Sequence, residues 1–160
     1  MCEPEKNLVM LERTKRHIKY SEGYRDQLYR DSNGYITGGF GHCLDTVHPF
    51  PTIRDFWESK FIEDFEEARE MTNIFILENK LEHLSCVRRS ILIDMIYNMG
   101  YAGVSKFKRM IRGLKEQNYE LAAQSMKESL WYEQTGTRAR RLHEAMLTNS
   151  YPLFPGGGYE

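Results

Sequence analysis

The sequence predicts an α+β fold, mostly helical, in which a small β-hairpin lobe and a larger helical lobe leave a cleft between them. Three observations predict it. Short strand-like runs occur only around a turn-rich stretch, "YRDSNGYITGGFGH" (29–42),. An amphipathic helical pattern precedes that stretch, and after "HPFPT" (48–52) the pattern is almost continuously helical,. With 160 residues, 41% of them hydrophobic, the chain suits one domain over 1–160 with two lobes,. The small lobe is expected at about 22–65, the helical lobe at 5–21 and 66–150, and a loose tail at 151–160, where "PGGG" offers nothing to pack,.

Leu8, Leu11 and Ile18, with Val9 on the flank, predict a first helix over about 5–21, stopped by Gly23,. Glu22 then stands at the helix end. Leu28 to Arg30 and Tyr35 to Thr37 read as strands around "DSNG", and Phe40 to Leu44 as a third,. Thr52 is a plausible N-cap for a helix whose stripe is Phe56, Trp57, Phe61, Ile62 and Phe65,. The most apolar stretch, Leu84 to Met99, predicts a central helix with Ser85 as N-cap and Gly100 as stop,. Further helices are expected near 105–117, 119–130 and 137–148.

The hairpin has two possible registers. A two-residue turn at Asn33-Gly34 puts Asp31 and Thr37 on opposite faces of the sheet. A three-residue connection, Ser32 to Gly34 with Gly34 left-handed, pairs Asp31 with Tyr35 and Tyr29 with Thr37. Tyr29, Asp31, Tyr35 and Thr37 then share one face, and Leu28 and Ile36 are buried together on the other. The second register is favoured because it segregates the apolar side chains.

Composition narrows the functional classes. No apolar run is long enough to span a bilayer, so membrane insertion is not expected,. The charged N-terminus has no secretory leader, which predicts synthesis in the cytoplasm,. Three scattered cysteines (Cys2, Cys43, Cys86) argue against a disulfide framework, and the five histidines lack metal-ligand spacing,. No metal or cofactor is expected. Residues 1–85 carry a balance of −5 and residues 86–143 one of +6, within a net charge of −1. The basic second half fits either an anionic polymer or a solvated helical face.

A carboxylate and a hydroxyl on one face can hold a water molecule. Glu22, arriving from the helix end, supplies a second carboxyl. Two carboxyls flanking a cleft are what glycosidic cleavage needs: one protonates the departing oxygen, the other activates water or attacks directly. Taken singly, Glu22, Asp31, Thr37 and His42 each have an ordinary structural reading; their combination points to chemistry.

That combination resembles the phage-type lysozymes of glycoside hydrolase family 24. Glu22, Asp31 and Thr37, followed by "GFGH" (39–42), match the family's Glu, Asp, Thr and Gly-x-Gly-His pattern. "VRRSILIDMIYNMG" (87–100), "GVSKF" (103–107) and "WYEQTGTRARRL" (131–142) are similar to further family segments, so the resemblance spans roughly 5–148 in order. It implies a lysozyme-like fold with Glu22 as proton donor and Asp31 with Thr37 activating a water, with inversion. It also implies that Arg138 lies near the acid, that His42 pairs with an acid of the next helix, for which Asp64 is the candidate, and that Cys43, Tyr97 and Asn98 touch the glycan. The substrate implied is the peptidoglycan glycan strand, cut between N-acetylmuramic acid and N-acetylglucosamine by a monomer that reaches the wall after release or delivery.

Two departures stand out. Gly38 occupies a position that is usually apolar, which is expected to loosen the strand behind Thr37. The stretch from His42 to Thr52 is short and holds Pro49 and Pro51. Rival readings are a lytic transglycosylase using Glu22 alone, a non-catalytic wall-binding domain on the same fold, and a helical nucleic-acid binder using 106–115. The last is disfavoured by the near-zero net charge, so no nucleic-acid partner is expected.

Overall fold

The computed structural model describes residues 4–44 and 54–151. Among them are seven helices and one three-stranded antiparallel sheet: α1 (Pro4–Glu22), β1 (Arg25–Arg30), β2 (Ile36–Gly39), β3 (His42–Cys43), α2 (Arg54–Asn79), α3 (Cys86–Ser105), α4 (Lys108–Lys115), α5 (Tyr119–Lys127), α6 (Leu130–Thr135) and α7 (Thr137–Thr148). The mostly helical α+β class holds. The chain divides into two compact units, Lys15–Glu67 and a second formed by Met1–Thr14 with Ala68–Glu160. Both α1 and α2 run through the division.

In the unit Lys15–Glu67 the sheet order is β1-β2-β3, with Tyr29 opposite Thr37, Arg30 opposite Ile36, Thr37 opposite Cys43 and Gly38 opposite His42. The Asp31 amide donates to the Tyr35 carbonyl at 2.9 Å, and Gly34, at φ 85°, closes the connection. This is the three-residue register. β1 starts three residues earlier than expected, with an irregularity between Arg25 and Tyr29. Ile18, Phe40, Trp57, Phe61 and Phe65 form the core of this unit. Of the stripe expected on α2, Ile62 is instead exposed.

The loosened strand at Gly38 is corrected. A Cβ there would lie 2.6 Å from Trp57 Cζ2, and one on Gly39 2.7 Å from the same indole. Trp57, 1% exposed, fills the volume a larger strand residue would take,. Gly38 and Gly39 carry no side chain where the Trp57 indole of α2 packs.

In the second unit, α1 contributes Leu11 and Thr14, while Leu8 and Val9, expected on the buried stripe and its flank, are exposed. Ser85 caps α3, its Oγ accepting from the Arg88 amide at 3.2 Å, and Gly100 breaks the helical path at φ 76°, ψ 167°. α4 starts at Lys108, later than expected; the helix expected over 119–130 is α5, which ends at Lys127, and α6, capped by Ser129, was not anticipated. α7 has the expected bounds. Tyr151, assigned to the loose tail, has its hydroxyl buried near Asp94, Thr14 and Arg138, and burial pushes its pKa far above the usual phenol value. The rest of that tail, the Thr52 cap, Pro49 and Pro51 lie outside the described residues. Cys86 is disulfide-bonded, against the reading of the scattered cysteines as arguing for no disulfide framework.

No helix among the described residues is long and apolar enough to cross a membrane.

Candidate active site

The three residues singled out for chemistry all fall in the unit Lys15–Glu67. Side chains alternate along a strand, so the register puts Tyr29, Asp31, Thr37 and Cys43 on one face and Gly38 and His42 on the other,. Asp31 lies just past β1. Its Oδ1 accepts from the amides of Asn33 and Tyr35, both at 2.9 Å, so one carboxylate oxygen organises the turn,. Among the described residues Oδ2 makes no hydrogen bond and remains an acceptor. Thr37 is 3% exposed, and its hydroxyl donates to the Tyr35 carbonyl at 3.2 Å. One peptide residue, Tyr35, therefore ties Asp31 through its N–H and Thr37 through its C=O.

Glu22 is the last residue of α1, and the chain leaves the helix through Gly23, whose amide donates to the Lys19 carbonyl at 3.0 Å. Its carboxylate reaches the β2–β3 turn at Gly41. A Cβ on Gly41 would stand 2.7 Å from Glu22 Oε2, and Gly41 has φ 77°. The bare Cα makes room for the carboxylate, and the positive φ turns the chain. The two carboxylates meet electrostatically at Tyr29: burial raises its pKa above the usual phenol value, the nearby Arg25 guanidinium opposes this, and Glu22 and Asp31 both reinforce it,.

On the opposite face His42 Nδ1 lies 2.7 Å from Asp64 Oδ2 on α2, the pairing expected, and its ring stands 6.2 Å from the Trp57 ring. This pair braces β3 against the helix that fills the Gly38 gap. Cys43 is exposed on the Thr37 face.

The remaining candidates lie in the second unit. Arg138 on α7 is buried and places Nε 2.7 Å from Asp94 Oδ1 on α3; Asp94 is fully buried. Asp94 was missed, although a lone acid inside "ILIDMI" (91–96) was its signal: a carboxylate buried in an apolar helix demands a cation. Asn98 Oδ1 accepts from Trp131 Nε1 on α6 at 2.7 Å, so its amide is engaged by the helix the sequence did not resolve. Tyr97 is half-buried on α3. The basic balance of the second half is also partly internal. Arg88 is buried, donates to the Met146 carbonyl at 3.0 and 3.1 Å, and stacks 3.3 Å from the Tyr119 ring centroid.

A carboxylate with an open oxygen beside a threonine hydroxyl, and a second carboxylate on the adjacent turn, can hold a water and deliver a proton. Comparison with known proteins shows the family. The model of the family described as phage lysozyme matches residues 19–145. Two proteins of Dictyostelium discoideum named probable T4-type lysozyme 1 and 2 are 25% and 28% identical, each match covering 88% of this chain and 97% of theirs. The peptidoglycan hydrolase gp36 of Pseudomonas phage phiKMV is 27% identical over 88% of this chain and 15% of its own length.

Proposed function

From the premise that this chain belongs to the phage lysozyme family, we propose that it is an N-acetylmuramidase that hydrolyses the β-1,4 bond from N-acetylmuramic acid to N-acetylglucosamine with inversion. A lysozyme-type peptidoglycan hydrolase is the coarser statement, and the family carries it. The finer one rests chiefly on a single observation, the shared face of Asp31 and Thr37 joined through Tyr35.

In this reading Glu22 donates its proton to the departing glycosidic oxygen. A water lies between the open Oδ2 of Asp31 and the Thr37 hydroxyl. Asp31 takes a proton from it as its oxygen attacks the anomeric carbon from the side opposite the leaving group, so the new bond forms as the old one breaks. The acid ends ionised and the base protonated, and solvent exchange resets both. Cys43, beside Thr37, and Tyr97 and Asn98, on α3, are proposed glycan contacts. Arg138, anchored by Asp94, is proposed to bear on the charge of the acid. The enzyme is proposed to work as a monomer on the bacterial wall after release or delivery.

The test is clearing of purified peptidoglycan by wild type, Glu22→Gln and Asp31→Asn, with the released sugars identified by mass. Reducing sugars from wild type and at least a hundredfold less from each variant are expected, since both groups act in the transition state. Anhydro sugars with substantial activity in Asp31→Asn would instead mark a transglycosylase.

A further inference from the structure

The face that carries Asp31 and Thr37 holds a third oxygen to which the mechanism above gives no task. Tyr29 lies directly opposite Thr37 and two residues before Asp31, which puts all three side chains on the same side of the sheet,. Its ring is half-buried, with the Arg25 guanidinium 4.2 Å from the ring centroid,. Among the described residues the phenol hydroxyl has no hydrogen-bond partner. Burial, Glu22 and Asp31 all favour its protonated form. A neutral O–H donor therefore stands within electrostatic reach of both carboxylates, its ring fixed from one side.

We propose that Tyr29 is a substrate-contacting residue of the hydrolysis, its hydroxyl donating to an oxygen substituent of the sugar held between Glu22 and Asp31, with Arg25 as the positioning residue that fixes the ring. The proposal rests on the muramidase reading. The donor is aimed at the sugar and not at the attacking water, because a hydrogen bond donated to the water would lower the nucleophilicity of the oxygen that attacks the anomeric carbon. Asp31 and Thr37 already accept the water's two protons in hydrogen bonds. Arg25 serves better than a lysine, since its planar guanidinium stacks over the ring while a lysine presents a point charge.

The experiment compares wild type, Glu22→Gln, Tyr29→Phe, Arg25→Ala, Arg25→Lys and the Tyr29→Phe/Arg25→Ala double variant on solubilised peptidoglycan strands, reading kcat, KM and melting temperature. Tyr29→Phe keeps the ring and is expected to lower kcat/KM about tenfold with the melting temperature unchanged, the signature of one lost hydrogen bond to substrate. Arg25→Ala is expected to act through the same contact, so the double variant falls no further than the worse single one, and Arg25→Lys recovers only part of the loss. Tyr29→Phe within twofold of wild type, or additive losses in the double variant, overturns the proposal. If Glu22→Gln is inactive while Tyr29→Phe is fully active, only the role of Tyr29 is lost. If wild type and Glu22→Gln release sugar equally, or neither does, the muramidase reading falls and this proposal with it.

Discussion

In the unit Lys15–Glu67 the acids that matter stand at helix and strand ends, Asp31 held by two amides and Glu22 lying against the bare Cα of Gly41. In the unit that includes Ala68–Glu160 the comparable charges are inside, Asp94 locked to Arg138 and Arg88 to a carbonyl. The first arrangement leaves a carboxylate oxygen open for chemistry at small desolvation cost. The second satisfies its charges in the interior, and breaking the Asp94–Arg138 pair leaves an ion in a low-dielectric environment,. Charge held by backbone at an edge can react, whereas charge paired within a helical core holds helices in place.

Removing one member of the internal pair should show the largest effect. Arg138→Met removes a cation from the fully buried Asp94 and is expected to cost about 3–5 kcal/mol in urea unfolding,. A loss below about 1 kcal/mol would show that the pair is not desolvated as the structure has it.

An edge substitution should do the reverse, costing activity more than stability. Gly41→Ala forces the Glu22 carboxylate to move and strains a residue at φ 77°. Its unfolding free energy should fall by about 1–2 kcal/mol, while peptidoglycan clearing falls on the order of a hundredfold. Unchanged clearing would detach Glu22 from the turn.

The smallest effect belongs to Glu58, part-exposed on α2, whose carboxyl is held below the usual range first by Lys19 and then by Arg54. Because its folded pKa is depressed, its contribution is present above about pH 4.5 and is lost as the pH falls through the folded value,. Glu58→Gln should therefore lose less than about 1 kcal/mol at pH 7 and converge with wild type at a pH below the folded value,. Equal stability of the two at both pH values would remove the ion pair from the account.

What the sequence revealed follows the same division. The hairpin register was legible because Leu28 and Ile36 must leave the face that Asp31 and Thr37 occupy, and Glu22 because Gly23 ends its helix. These are local constraints, satisfied within a few residues. Trp57 filling the gap over Gly38, Arg138 finding Asp94 forty-four positions away and Asn98 meeting Trp131 depend on contacts between distant segments, which spacing does not encode. The helix α6 was missed because its six residues are too few to show a helical repeat and only the cap at Ser129 marks its start.

The most direct measurement of the central claim is the anomeric configuration of the first product, read by proton NMR within seconds of mixing wild type with glycan strands. A water held by Asp31 and Thr37 and attacking opposite the leaving group gives the α-anomer at the new reducing end. A β-anomer would mean that Asp31 or another group attacks the sugar itself, and the water-holding role drawn from the shared strand face would be contradicted.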